Sequence, residues 1–273
     1  MSEENQLTPE QKWEQATIDN NFIFYKVMRH NPDVCKELLE ILLEMKIDHI
    51  DMKQEEEIDI DYGKKSIRLD VYAVGTSNAF NLEMQSTDTG NLPERSRYYQ
   101  SVLDVDDLNA GANYIDLKTS YIIFICIPDI FEKGLAKYSF ENICRENTEV
   151  KLNDRAYKYF FIAENYDKIL NAEQKAFLKL LISNEATTSF SDKIVKLVAD
   201  AKHNTQWRRQ FMYFQDYIQD SFDQGKKEGL QEKTIEDAKS FYANGVSIEL
   251  IAKSLNMTIE QVKEIVCDVK VVG

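Results

Sequence analysis

Along the first part of the chain apolar residues recur at helical spacing, and then the period switches to two. Within residues 20–46 they fall at Phe24, Val27 and Met28, then at Leu38, Leu39, Ile41, Leu42 and Met45, which predicts helix on both sides of Asn31-Pro32-Asp33. Proline suits the first turn of a helix, so a second helix is expected to start there. Across residues 55–62, Ile58, Ile60 and Tyr62 alternate with Glu57, Asp59 and Asp61, the pattern of a strand with one polar face. Two further alternating segments follow. Ile67, Leu69, Val71 and Ala73 share one face of the first, with Arg68, Asp70 and Tyr72 on the other. In the second, Phe80, Leu82 and Met84 oppose Asn81, Glu83 and Gln85. The joining stretch Gly75-Thr76-Ser77-Asn78-Ala79 reads as a hairpin turn.

Beyond the hairpin, Pro93-Glu94 opens an expected helix to about Leu108. Residues 121–127 are apolar on both faces and rich in β-branched side chains, as in a central buried strand. Residues 155–163, with Tyr157, Tyr159, Phe160 and Phe161, predict another strand. The order helix, three strands, helix, strand, strand is that of an α/β fold with a mixed sheet. From about Asp167 the pattern is helical, and residues 206–223 hold Trp207, Phe211, Tyr213, Phe214, Tyr217 and Phe222 at helical spacing, a stripe suited to a core or to an oligomer interface. Gly225-Lys226-Lys227-Glu228-Gly229 marks an expected hinge. Three short helical units follow, near residues 234–244, 248–255 and 258–266, with Gly245 where a helix-terminating glycine belongs and Thr258 with Gln261 as a capping box. The expected organisation is a domain over residues 1–167, a helical region over 168–224, and a helix-turn-helix-like tail over 225–273.

The paired carboxylates change the picture from fold to chemistry. Neighbouring strands that each bury one face and each carry an acid on the other can hold a divalent metal for phosphodiester cleavage. Residues opposite each other in an antiparallel ladder share a face, so Asp70 must lie opposite Glu83 or Gln85 and not Met84. Pairing Asp70 with Glu83 leaves a hairpin loop of roughly four residues. Gln85 projects from the same face, where it could orient the attacking water, although an amide carries no positive charge and is no useful base. By spacing alone, Asp followed by Glu-x-Gln is a common pattern.

Charge and composition set limits. The chain has 273 residues and a net charge of −14, which counts against a protein that coats nucleic acid but not against one that cuts it. Cys35, Cys126, Cys144 and Cys267 form no CxxC pair, and His30, His49 and His203 are dispersed, so no zinc site, disulfide framework or histidine-based metal site is indicated. Cys126 falls in an apolar run and reads as core. No apolar run is long enough to span a bilayer, and the opening Met1-Ser2-Glu3-Glu4-Asn5-Gln6 is unlike a signal peptide, so a cytoplasmic protein with no membrane partner is expected. The last helical unit brings only Gln261 and Lys263 as residues of the kind that read DNA, so oligomerisation or regulation suits the tail at least as well.

Ile67-Arg68-Leu69-Asp70-Val71-Tyr72-Ala73, Asn81-Leu82-Glu83-Met84-Gln85 and Arg95-Ser96-Arg97-Tyr98-Tyr99-Gln100-Ser101 together resemble the Rpn family of recombination-promoting nucleases and transposases, within the PD-(D/E)XK nuclease superfamily. The resemblance extends to Leu108-Asn109-Ala110-Gly111-Ala112-Asn113-Tyr114, to Tyr121-Ile122-Ile123-Phe124-Ile125-Cys126 and back to the stretch from Asn20 to Met28, so that it covers about residues 20–163. It implies a restriction-endonuclease-like core, Mg²⁺-dependent DNA endonuclease activity linked to recombination or transposition, Asp70 and Glu83 as metal-binding acids, and Gln85 at the position that is Lys in the wider superfamily. Arg68 or Lys65 could replace that lysine charge by position. An additional acid from the first helix would be Glu37 or Glu40. Arg95, Arg97, Tyr98 and Gln100, with Arg68, are candidates to touch DNA, whereas Tyr99 suits packing equally. The competing readings are a catalytically degenerate DNA-binding or assembly factor of a mobile element or phage-defence system, and a protein-binding module. A homo-oligomer formed through the helical C-terminal region is a further expectation.

Overall fold

The hairpin that carries Glu83 is the start of a mixed sheet in the computed structural model, which describes residues 7–53, 71–267 and 269. The strands are β1 (Asp51–Met52), β2 (Val71–Val74), β3 (Asn78–Gln85), β4 (Thr119–Cys126), β5 (Lys137–Phe140) and β6 (Ala156–Ile162). They are ordered β1-β2-β3-β4-β6-β5. β1, β2 and β3 are joined antiparallel, β3, β4 and β6 are parallel, and β5 closes the far edge antiparallel to β6. In the hairpin Val71 lies opposite Leu82, Tyr72 opposite Asn81 and Val74 opposite Ala79. The four residues left between Val74 and Ala79 form the turn, closed by Gly75 N donating to Asn78 O at 2.8 Å. The expected strand at residues 55–62, and Lys65, Arg68 and Asp70 of the first hairpin segment, lie outside the described residues.

Helices cover both faces. α1 (Pro9–Gln15) buries Trp13 within what the sequence presents as a polar lead-in; a single tryptophan has no period to reveal it. α2 (Asn21–His30) starts where the Asn20 side chain accepts from the backbone of Phe22 and Ile23, and α3 (Pro32–Leu43) starts at the expected proline. α2 packs against β2 and β3, and α3 against α2 and α5 (Ala172–Ser183). α4 (Leu92–Asp107) is the crossover that the parallel pair β3–β4 requires. Its Leu92, Tyr99, Val102 and Leu103 pack with Tyr72, Ala79, Ile122, Phe124, Cys126, Phe160 and Ile162. Those sheet residues share the face of Asn81, Glu83 and Gln85 by alternation along their strands. The result corrects one expectation: β3 buries both its faces, so its carboxylate does not project into solvent.

By internal contact the chain falls into two units, Met1–Arg208 and Arg209–Gly273. The first is completed by α5 and α6 (Ser189–His203). α7 (Thr205–Ala243) is a continuous helix of 39 residues. It runs through Gly225 and Gly229, where the sequence leads one to expect a hinge; an interior glycine costs a helix only about 1 kcal/mol, less than breaking the ladder of hydrogen bonds around it. Tyr213, Tyr217 and Phe222 of the aromatic stripe are exposed, and Phe211 is buried. α8 (Ile248–Leu255) and α9 (Ile259–Val266) fold back so that Ile251, Ala252, Val262 and Val266 enclose Ala238 of α7 in a small core. The Thr258–Gln261 capping box is formed, and Gly245 takes the left-handed conformation (φ +83°) at the end of α7. No helix among the described residues is long and apolar enough to cross a membrane.

Candidate functional site

Glu83 sits on β3 with only 1% of its surface exposed. A carboxylate so buried must be paired or hydrogen-bonded if it is to stay ionised. Two neighbours provide this. Asn81 Nδ2, two residues back on the same face, donates to Glu83 Oε1 at 2.9 Å. From α4, Arg95 Nη2 donates to Glu83 Oε2 at 3.3 Å. The same guanidinium reaches Gln85, Nη1 donating to Oε1 at 3.1 Å. Sequence and topology explain the meeting. Glu83 and Gln85 lie at the end of β3, and Arg95 lies in the opening turns of the helix that follows, which must pass back over the sheet to reach β4.

Arg95 is itself held. Its Nε and Nη2 donate to Tyr99 Oη at 3.2 and 3.0 Å, and its guanidinium carbon lies 5.4 Å from the Tyr99 ring centre and 5.7 Å from that of Phe124. Stacked rings and a phenol oxygen fix the planar fork in the direction of the acid. Tyr72, opposite Asn81, donates from Oη to Asp106 at 2.9 Å and so ties the hairpin to the far end of α4. Sequence reasoning weighs Tyr99 for packing as much as for DNA and gives Asn81 no role. Asn81 carries the right signal, sharing the Glu83 and Gln85 face, but asparagine on a strand gives no hint of its partner. Tyr99 stands four residues after Arg95, the spacing at which two helical side chains meet.

The donor set suits a hard divalent cation. Glu83 offers a carboxylate, and the buried Asn81 Oδ1 has no hydrogen-bond partner among the described residues. Among the described residues no three His, Cys, Asp or Glu side chains form a metal-binding group, and Asp70 lies outside them. The hairpin register, with Val71 opposite Leu82, is the one that a pairing of Asp70 with Glu83 presupposes.

The other candidates are dispersed. Arg97 and Tyr98 are exposed on α4, whereas Gln100 is buried and donates to Ser120 of β4 and, at 3.3 Å, to Asp104. The two α3 acids are engaged away from Glu83. Glu37 takes Lys193 of α6 at 3.2 Å, and Glu40 takes Lys36 at 3.0 Å and the Ile47 backbone N–H at 2.8 Å. The Ile47 N–H is the first cause that holds the Glu40 carboxyl below its ordinary range.

The family model described as PD-(D/E)XK nuclease family transposase matches residues 20–175. No curated protein and no solved structure matches the chain.

Proposed function

Because the chain belongs to the PD-(D/E)XK nuclease family transposases, we propose that it is a metal-dependent DNA endonuclease that hydrolyses phosphodiester bonds during recombination or transposition. The observation that carries this reading is the Glu83–Arg95–Gln85 cluster, a buried acid and a half-buried cation fixed side by side at the end of a strand. Nucleases of this superfamily generally use divalent metal ions, and Mg²⁺ is the ion we propose. Glu83 and Asp70 would hold it, with Asn81 Oδ1, which has no hydrogen-bond partner among the described residues, as a further oxygen. When bound, such an ion lowers the pKa of its water and draws charge from the phosphoryl oxygens.

The chain's own groups have narrower tasks. A guanidinium donates hydrogen bonds and accepts none, so Arg95 can stabilise a phosphoryl oxygen but cannot take a proton from water. In this site it stands where the superfamily's lysine charge is missing, a role the sequence offers to Arg68 or Lys65. Gln85, its Oε1 engaged by Arg95, presents its N–H groups and can donate to a water oxygen or a phosphate, not accept a proton. Arg97 and Tyr98, exposed on α4, and Arg68 would contact the DNA backbone. The exposed aromatic residues of α7 would serve a homo-oligomer.

That neither Gln85 nor Arg95 can act as base favours a second reading, a DNA-binding or assembly factor that has lost cleavage. Nicking of supercoiled plasmid in Mg²⁺ decides between them. The nuclease reading expects nicking that EDTA, Asp70→Ala and Glu83→Ala each abolish; DNA binding without nicking in the parent protein would leave the second.

A further inference from the structure

On the side of α4 away from Arg95, the helix and the β6–β5 edge enclose a cleft of about 590 Å³, a size typical of small-ligand sites. Its floor holds Gln100, 7% exposed, whose Nε2 is committed to Ser120 and Asp104 while its Oε1 has no partner among the described residues. A buried acceptor left unsatisfied costs about 1–3 kcal/mol, so it calls for a donor from outside. Beside it stands Asp104, whose carboxyl burial pushes up from its ordinary range. The mouth is aromatic. Phe140 is 42% exposed, and its ring lies 5.4 Å from Phe131 and 5.8 Å, edge-on, from Phe160.

Charge narrows the occupant. Asp104, Glu141 and Asp154 outnumber Arg97 and Lys158 around the cleft, which makes it a poor phosphate site. A flat, neutral ring that donates N–H groups satisfies every feature at once. Thymine presents a single edge N–H between two carbonyls, whereas guanine presents adjacent N–H groups from its ring and its amino group. Gln100 lies five residues beyond Arg95, roughly 7–8 Å along the helix axis and about 140° around it, so one element serves the acid site on one face and the cleft on nearly the opposite one.

We propose that this cleft takes one unpaired guanine of a DNA strand, stacked on Phe140 and donating N–H groups to Gln100 Oε1 and the Asp104 carboxylate. This rests on the reading of the chain as a DNA nuclease. It adds to that reading a preference at one nucleotide, which explains how an acidic protein can favour a place on DNA without a broad basic surface.

The test is fluorescence anisotropy of the full chain with short labelled oligothymidylates in EDTA at low salt. One strand carries a central guanine, one is thymine throughout, and one is abasic at that position. The guanine strand is expected to bind about tenfold more tightly than the abasic one, the size of a single base–aromatic stack. Phe140→Ala should bring it to the abasic level, and Gln100→Leu should erase the preference for guanine over thymine. Phe140 is exposed enough that its variant tests the site even where Gln100→Leu unfolds the protein. Equal binding of the guanine and abasic strands, no preference over thymine, or a preference that survives Phe140→Ala overturns the assignment. Free dGMP is expected to compete weakly; competition as strong as the strand's would overturn the strand as source. Plasmid nicking, measured separately, keeps the two ideas apart. A protein that nicks but ignores the base loses only the pocket, and one that selects the base but nicks nothing loses only the nuclease.

Discussion

Arg95 Nη2 and Glu83 Oε2 lie 3.3 Å apart, the acid almost wholly buried and the arginine partly open to solvent. The asymmetry of this pair matters. Water reaches the cation and not the anion, so an incoming cation can exchange for the guanidinium. Arg95→Gln removes the Arg95 charge from Glu83 and is expected to destabilise the first unit by about 2–3 kcal/mol, less than the breaking of a fully buried pair because Arg95 is not fully enclosed. Mg²⁺ or Mn²⁺ should restore much of that loss and should raise the melting temperature of the variant more than that of the parent. A variant as stable as the parent, or one indifferent to both metals, would contradict the exchange.

Asn81 offers a second route to the same site. Its Nδ2 donates to Glu83, and removing a hydrogen bond to a charged group costs about 1.5–3 kcal/mol. Asn81→Asp also sets two carboxylates side by side. Melting in EDTA should therefore fall by at least that amount, with a larger recovery in Mg²⁺ than Asn81→Leu shows. Equal responses of the two variants to Mg²⁺ would remove Asn81 from the metal's surroundings.

Continuity of α7 predicts the effect of filling its glycines. A Cβ added at Gly225 or Gly229 meets no atom within 4 Å, and neither residue has positive φ. Gly225→Ala and Gly229→Ala should each stabilise by about 0.5–1 kcal/mol and raise ellipticity at the helical minimum. Destabilisation by either would restore the hinge expected from sequence.

The thiols should divide into two classes. Burial pushes Cys35 and Cys126 up to about 12, so neither forms thiolate at about pH 8 while the protein stays folded. Cys267 is exposed and Cys144 half-buried. Ellman's reagent should titrate only those two in the native protein and all four in denaturant. Rapid reaction of four thiols under native conditions would disprove the packing of α3 and β4.

The alternation of β3 was legible because a strand's two faces differ in chemistry whatever covers them. What covered the polar face was not. A face sealed by an arginine from a later helix has the same residue pattern as one facing water, and only the rotation of α4 on the sheet decides between them. That rotation is set by Tyr99, Val102 and Leu103 packing on Phe124 and Ile122, contacts no local period encodes. Arg95 and Gln100 read alike from sequence as candidates to touch DNA, while the fold turns the first toward Glu83 and Gln85 and the amide nitrogen of the second toward Ser120 and Asp104. β1 and β5, of two and four residues, are too short to establish a period. The units near residues 248–255 and 258–266 were legible because their stops and starts are chemical: Ser247 and Thr258 cap the helices, and a left-handed Gly245 ends the one before.

Parallel strands cannot be joined without a crossover, and here the crossover is the helix that delivers Arg95. Evolution therefore cannot discard the cation's carrier to silence this protein; deleting α4 would take the sheet with it. On the nuclease function proposed above, descendants that lose cleavage would do so by exchanging single letters at positions such as 83 or 95, with the scaffold left whole. Loss of function in this lineage should be written in point substitutions and not in shortened chains.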